Sequence, residues 1–215
     1  MAKLYLANTE QINDEAASAL LPLLPAERQL RISRMSSKEA RLLSIAAGGL
    51  LLHAQRCAGL PDTAAVSYTD HGKPCFPGHP AFHFNLSHSG NWAACAVGGE
   101  DLGADVQKIV GVTETVRVRC LASSELRWLE SLAEKDRAAG FCRIWSLKEA
   151  LLKADGKGLR QRPGDIQVLD GQGRICRSDH VFREFHIPGY AAAVCCRSEY
   201  IEEQPQIIDL QDLLC

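Results

Sequence analysis

Apolar residues recur at helical spacing through Leu42, Leu43, Ile45, Leu50, Leu51 and Leu52, which predicts the strongest helix of the chain over residues 37–58. Ser36, Ser37 and Glu39 suit its start, where side-chain oxygens meet free backbone amides, and Arg41 sits one turn inside. Before it, Asn13 or Asp14 can cap a helix that runs through residues 20–24, punctuated by Pro22 and Pro25. Beyond Gly59 and Pro61 the pattern turns extended. Phe82, Phe84 and Leu86 alternate with His83, Asn85 and Ser87, the period of a half-buried strand. Residues 88–91 read as a turn, 92–97 as a second strand, and 98–101 as a turn into a third that holds Asp105. Three consecutive antiparallel strands are the expectation.

The second half repeats the plan, with helices over 114–135 and 138–155 and strand-like runs at 165–169, 174–177, 181–187 and 190–196. A faint repeat links Gly90-Asn91-Trp92-Ala93-Ala94-Cys95 with Gly189-Tyr190-Ala191-Ala192-Ala193-Val194. The division that follows is an N-terminal half over 1–102 and a C-terminal half over 103–215. A cleft between two such halves is a favoured place for a ligand.

Composition narrows the class. A chain of 215 residues that is 46% hydrophobic can bury a substantial core in one or two domains. A formal net charge of −2 argues against a dedicated nucleic-acid binder, which carries a basic face. No run approaches the ~18 apolar residues of a membrane span. The opening Met-Ala-Lys-Leu-Tyr-Leu-Ala-Asn lacks a signal-peptide pattern, so a cytoplasmic protein without membrane attachment is expected. The nine cysteines show no metal-ligand spacing and read as small buried hydrophobes in a reducing compartment, not as a zinc site or a nucleophile.

Chemistry concentrates in residues 145–158, Trp-Ser-Leu-Lys-Glu-Ala-Leu-Leu-Lys-Ala-Asp-Gly-Lys-Gly. Trp145, Glu149 and Lys153 share one helix face, and Gly156 and Gly158 close the helix. A lone Glu-x-x-x-Lys is an ordinary surface pair, worth roughly 0.3 kcal/mol. Trp145 on the same face argues instead for partial burial, where an unpaired charge is costly. A partner lies in Leu102-Gly103-Ala104-Asp105-Val106-Gln107, which as a strand puts Asp105 and Gln107 on one face and Ala104 and Val106 on the other. Asp105 and Glu149 then offer two hard oxygens from different elements, which is how Mg²⁺ is held beside phosphate.

Gly-Ala-Asp followed by Trp-Ser-Leu-Lys-Glu-Ala-x-x-Lys-x-x-Gly-x-Gly-Leu resembles the signature of the 4′-phosphopantetheinyl transferases. Gly72-Lys73-Pro74 and Phe84-Asn85-Leu86-Ser87-His88-Ser89 match too, and the four motifs stand in the family's order. The length resembles the larger, Sfp-like type, which is monomeric. The implied fold is α+β, two pseudo-symmetric halves, each a small antiparallel sheet packed with helices, with the active site in the cleft between them. One departure is Gln107, where the family usually has a second acid.

The resemblance implies Mg²⁺-dependent transfer of the phosphopantetheine arm of coenzyme A to a serine of an acyl or peptidyl carrier protein, releasing adenosine 3′,5′-bisphosphate. It implies Asp105, Glu149 and a weakened Gln107 as metal ligands, with Glu149 as base and Lys153 opposing phosphate charge. Arg41 and His88 are implied contacts to the 3′-phosphate, and Gly72, Lys73 and Pro74 lie beside the adenine and phosphates. Asn85 and Ser87 join the coenzyme A set, and Lys148 flanks the phosphates. Arg28, Arg31 and Arg34, three apart, read as a solvated stripe, although the resemblance implies basic residues in this region that approach the nucleotide; neither they nor Lys157 is assigned. Leu121, Trp128, Leu129 and Leu132 read as core, although the family's corresponding region meets the carrier. The rival reading is a non-catalytic coenzyme A or carrier-protein binding protein of the same fold, with Gln107 as its first lost ligand. A Mg²⁺-dependent phosphohydrolase fits the carboxylates and the lysine but not the upstream motifs.

Overall fold

A computed structural model describes residues 1–156 and 161–214. The first layer is a sheet of strands β4 (His83–Ser89), β5 (Trp92–Gly98), β1 (Lys3–Asn8) and β9 (Gln206–Ile207), in that spatial order. Helices α1 (Asp14–Leu20), α2 (Ala26–Ser33) and α3 (Lys38–Cys57) accompany it. A short hairpin of β2 (Ser67–Tyr68) and β3 (Pro74–Cys75) stands apart. The second layer is the antiparallel sheet β6 (Leu102–Lys108), β8 (Tyr190–Cys196), β7 (Val181–Ile187), with α4 (Glu114–Cys120), α5 (Ser123–Ser131) and α6 (Glu134–Asp155). The fold is therefore α+β. Each half runs strand, helices, hairpin, and in each the returning hairpin strand pairs with the half's opening strand.

Caps follow the sequence. Asn13 accepts the amide of Ala16, and Ser37 accepts that of Ala40, so one free donor at each of these helix starts is engaged locally. Gly156, in a left-handed conformation with φ 66°, ends α6 as expected. Gly158, the second expected closing glycine, lies outside the described residues, as does Lys157.

The structure corrects four expectations. Residues 3–8, not read as an element, form a central strand because both of its faces are buried. Residues 114–135 are not one helix, since Leu121 and Ala122 are extended (ψ 141° and 157°) and split it into α4 and α5. Residues 165–177 hold the end of a short helical turn, Pro163–Asp165, and a single bridge, Leu169 to Ile175, in place of two strands. The third of the three consecutive strands leaves its neighbours: β6 pairs with β8. The tail also crosses back, with β9 running parallel to β1 and Leu210 and Leu213 packing into the first core.

Among the described residues, three apolar clusters hold the molecule. One lies between α1–α3 and the first sheet, one between α5–α6 and the second. The third joins the halves through Leu4, Leu6, Ala94, Ala96, Ala104, Val106, Val194 and Phe185. Fully burying a Leu, Val or Phe side chain contributes about 1.5–3 kcal/mol, so this shared cluster holds the two sheets together.

Candidate active site

The period-two pattern of β4 divides its side chains between two tasks. Phe84, Leu86 and His88 face a cavity of about 450 Å³, whose wall also carries Arg28, Arg31 and Tyr68. Asn85, Ser87 and Ser89 reach the other way, to the backbone of β6. Asn85 Oδ1 accepts the amide of Ala104 at 3.0 Å, Ser87 Oγ that of Val106 at 3.3 Å, and Ser89 Oγ that of Lys108 at 3.0 Å. Every second amide of a strand edge points outward, and an orphaned one would be costly. Here side chains take the place of a main-chain ladder between the halves.

Beside that seam, α6 lies against β6 at close range because residue 103 is glycine. A Cβ at Gly103 would overlap the carbonyl oxygen of Ala150 and the amide of Ala154. Glu149 and Lys153 are thereby brought over Asp105. Lys153 Nζ donates to Asp105 Oδ1 at 2.7 Å, to the Ala104 carbonyl at 3.0 Å and to Ser87 Oγ at 3.3 Å. Ser87 Oγ donates to the same Asp105 oxygen at 2.8 Å. Asp105 Oδ2 is buried and accepts no hydrogen bond among the described residues.

Electrostatics mark the same place. Burial pushes the Asp105 carboxyl up, while the Lys153 ammonium and the Ser87 hydroxyl pull it back. Burial raises Glu149 as well; Lys153 opposes that shift and the neighbouring Asp105 charge adds to it. A raised, charge-coupled carboxylate pair with one orphaned oxygen is a donor set that suits a hard divalent cation. Among the described residues no cluster of three or more His, Cys, Asp or Glu is placed to hold a metal ion. Gln107 lies on the same strand face as Asp105 and is half-buried.

A second cavity, of about 200 Å³, is lined by Gly72, Lys73, Pro74, Asn85, Glu149 and Lys153. Gly72 and Pro74 border both cavities, so the two adjoin at this turn. Gly72 occupies a left-handed conformation, φ 80°, and its amide closes the turn onto the Thr69 carbonyl. The Lys73 ammonium pairs with Asp101 at 2.7 Å and reaches the Ala154 carbonyl at 3.3 Å, tying this turn to the end of α6.

The model of the 4′-phosphopantetheinyl transferase superfamily matches residues 101–196, which contain Asp105, Glu149 and Lys153. The 4′-phosphopantetheinyl transferase Sfp of Bacillus subtilis (strain 168) is 31% identical over 69% of this chain and 70% of its own length. The chain belongs to the 4′-phosphopantetheinyl transferase superfamily. It is an enzyme of that superfamily's Sfp-like type. The 4′-phosphopantetheinyl transferase psf-1 of Bacillus pumilus is 32% identical over 66% of this chain and 65% of its own. Among solved structures, the holo-[acyl-carrier-protein] synthase (AcpS) of Thermotoga maritima covers 44% of this chain and 61% of its own at 26% identity, with a TM-score of 0.38.

Two residues expected at a phosphopantetheinyl transferase site stand elsewhere. Lys148, expected to flank the phosphates, is fully buried behind α6. Its ammonium pairs with Glu125 at 2.6 Å and donates to the carbonyls of Cys120 and Pro163, each at 2.8 Å. Glu125 in turn accepts the amides of Ala122 and Val168. All three ammonium protons have partners inside the second half, so Lys148 is structural. Arg41, expected at the 3′-phosphate with His88, borders a different cavity with Asp14 and Lys38, and its guanidinium donates to the Met35 carbonyl. Helical rotation is the cause, since α3 turns Ser44, Ala47 and Gly48 toward the His88 cavity. Arg28 and Arg31 line that cavity instead. Their three-residue spacing was visible in the sequence, but nothing there distinguished a cavity wall from a solvated stripe. Asn85 borders the second cavity, although its carbonyl oxygen and the Ser87 hydroxyl are engaged at the seam.

Proposed function

We propose that this enzyme transfers the phosphopantetheine arm of coenzyme A to a serine hydroxyl of an acyl or peptidyl carrier protein, leaving adenosine 3′,5′-bisphosphate. The observation that carries this reading is the convergence of Asp105, Glu149 and Lys153 beside one of two adjoining cavities, the other of which carries Arg28, Arg31 and His88. A molecule with phosphate at one end and a diphosphate farther along matches that charge layout. Arg28 and Arg31 supply forked donors for the 3′-phosphate, with His88 beside them.

Mg²⁺ would be held by Asp105 and Glu149, with the Gln107 amide as a weaker neighbour, and when bound it neutralises the diphosphate. Glu149, which lines the second cavity beside Lys153, takes the serine proton. The serine oxygen bonds to the phosphorus that carries the pantetheine arm. The bond from that phosphorus to the bridging oxygen breaks, and its electron pair leaves on the nucleotide phosphate. Lys153 opposes the charge that develops there. To reach it, the ammonium must release one of its three present partners, and the Ser87 contact at 3.3 Å is the longest. Because a strand and a helix of one chain supply Asp105, Glu149 and Lys153, action as a monomer fits.

The test is to incubate the protein with coenzyme A, Mg²⁺ and an apo carrier domain, then weigh the carrier. A gain of one phosphopantetheine arm supports transfer. Release of free phosphate would mean hydrolysis, and an unchanged carrier with bound coenzyme A would mean a binding protein.

A further inference from the structure

Asp105 presents its two oxygens unequally. Oδ1 takes both donors, Ser87 Oγ at 2.8 Å and Lys153 Nζ at 2.7 Å, whereas Oδ2 is buried without one among the described residues. The Ser87 hydroxyl is itself directed. It has two lone pairs and one proton. The Val106 amide and the Lys153 ammonium both point at its oxygen, each at 3.3 Å. With both lone pairs engaged, the only remaining direction is that of the proton, toward Asp105 Oδ1. Ser87 is buried at 7% exposure and Asp105 at 6%, so bulk water does not compete for these contacts.

We propose that Ser87 is a positioning residue for the metal ligand, holding the Asp105 carboxylate in the plane where Oδ2 is the atom offered to the cation. The proposal rests on the transfer reading above and deepens it, since it names the ligand atom and the group that sets it. The contacts of the Ser87 hydroxyl seen here all lie within the protein. Its effect reaches the reaction through the carboxylate, as outer-shell partners of metal ligands do.

The test uses the full chain and Mn²⁺ as a paramagnetic probe, titrated without coenzyme A. Ser87→Ala should weaken Mn²⁺ binding by about 10-fold to 100-fold, the range for loss of an outer-shell partner. The KM for coenzyme A should be little changed and unfolding should stay cooperative. Ser87→Thr keeps a hydroxyl and should restore most of the affinity. Should Ser87→Ala fold poorly, Ser87→Cys, nearly the same size but a weak donor, should show the same loss of Mn²⁺ affinity. Unchanged Mn²⁺ affinity in either variant overturns the proposal, and so does a rise in the coenzyme A KM alone, which would make Ser87 a substrate contact. Asp105→Asn separates the two levels of the argument. If it weakens Mn²⁺ binding while Ser87→Ala does not, only the positioning role fails. If it leaves Mn²⁺ binding intact, the metal reading itself falls.

Discussion

Lys153 Nζ sits 2.7 Å from Asp105 Oδ1, a contact between residues 48 positions apart. The helix lysine is thus paired with a strand acid of β6, not with Glu149 on its own helix. That leaves Glu149 half-buried, facing the second cavity, with its carboxyl pushed up by burial and further by Asp105. The two acids and the lysine form one coupled unit.

Glu149→Gln should separate activity from stability. Folding raises the Glu149 carboxyl above its ordinary value of 4.5, so the ionised form is disfavoured in the folded state. Above the unfolded value that cost is present, and it vanishes as pH falls below it, where both states are protonated. The metal-free variant should therefore melt higher than wild type at pH 7, by about 2–4 °C for each kcal/mol relieved, with the gain fading toward acid pH. Carrier transfer should fall severely in the same protein. Calorimetry across pH checks the sign.

Gly103→Ala should move the helix that carries Glu149 and Lys153. The added Cβ meets backbone atoms of Ala150 and Ala154, which cannot rotate away as a side chain can. Overpacking of this kind costs about 1–3 kcal/mol. Urea unfolding should show that loss. Transfer should drop by more than the KM for coenzyme A changes, since the Arg28 and His88 wall lies in the other half.

Lys148→Met should act on folding. Its removal leaves Glu125 charged, buried and without its cation, a situation that costs about 3–5 kcal/mol. Replacing both residues by apolar ones of similar size should recover much of that stability. A Lys148→Met protein with wild-type stability and a raised coenzyme A KM would return Lys148 to the phosphates.

His88 should give coenzyme A binding a pH dependence. Partial desolvation, then the positive charges of Lys153 and Arg28, hold the imidazole below its ordinary value of 6.5. It is neutral at pH 7, and a phosphate beside it favours the charged form, so binding takes up a proton. Wild-type affinity should strengthen relative to His88→Ala as pH falls from neutral toward about 6. The difference should largely disappear with 3′-dephospho-coenzyme A. Arg41→Ala, by its place in another cavity, should behave as wild type in this titration.

Local chemistry determined much of this protein before any folding is considered. The caps at Asn13 and Ser37, the turn at Gly72, the helix that aligns Glu149 with Lys153, and the strand that aligns Asp105 with Gln107 all depend on neighbours along the chain. Periodicity states which side chains share a face, and motif order was enough to indicate the family. Only the tertiary structure decided what each face meets. Period two separated His88 from Ser87 but could not say that one would line a cavity and the other brace Asp105. Helical spacing placed Lys148 beside Glu149 without revealing Glu125, which lies on another helix and buries the lysine. Arg28 displaced Arg41 at the cavity because the rotation of α2 and α3 against the sheet depends on core packing summed over the whole first half. Strand β6 left its sequence neighbours for β8, with side chains of β4 satisfying its free edge, because that arrangement buries Ala104 and Val106 between the halves.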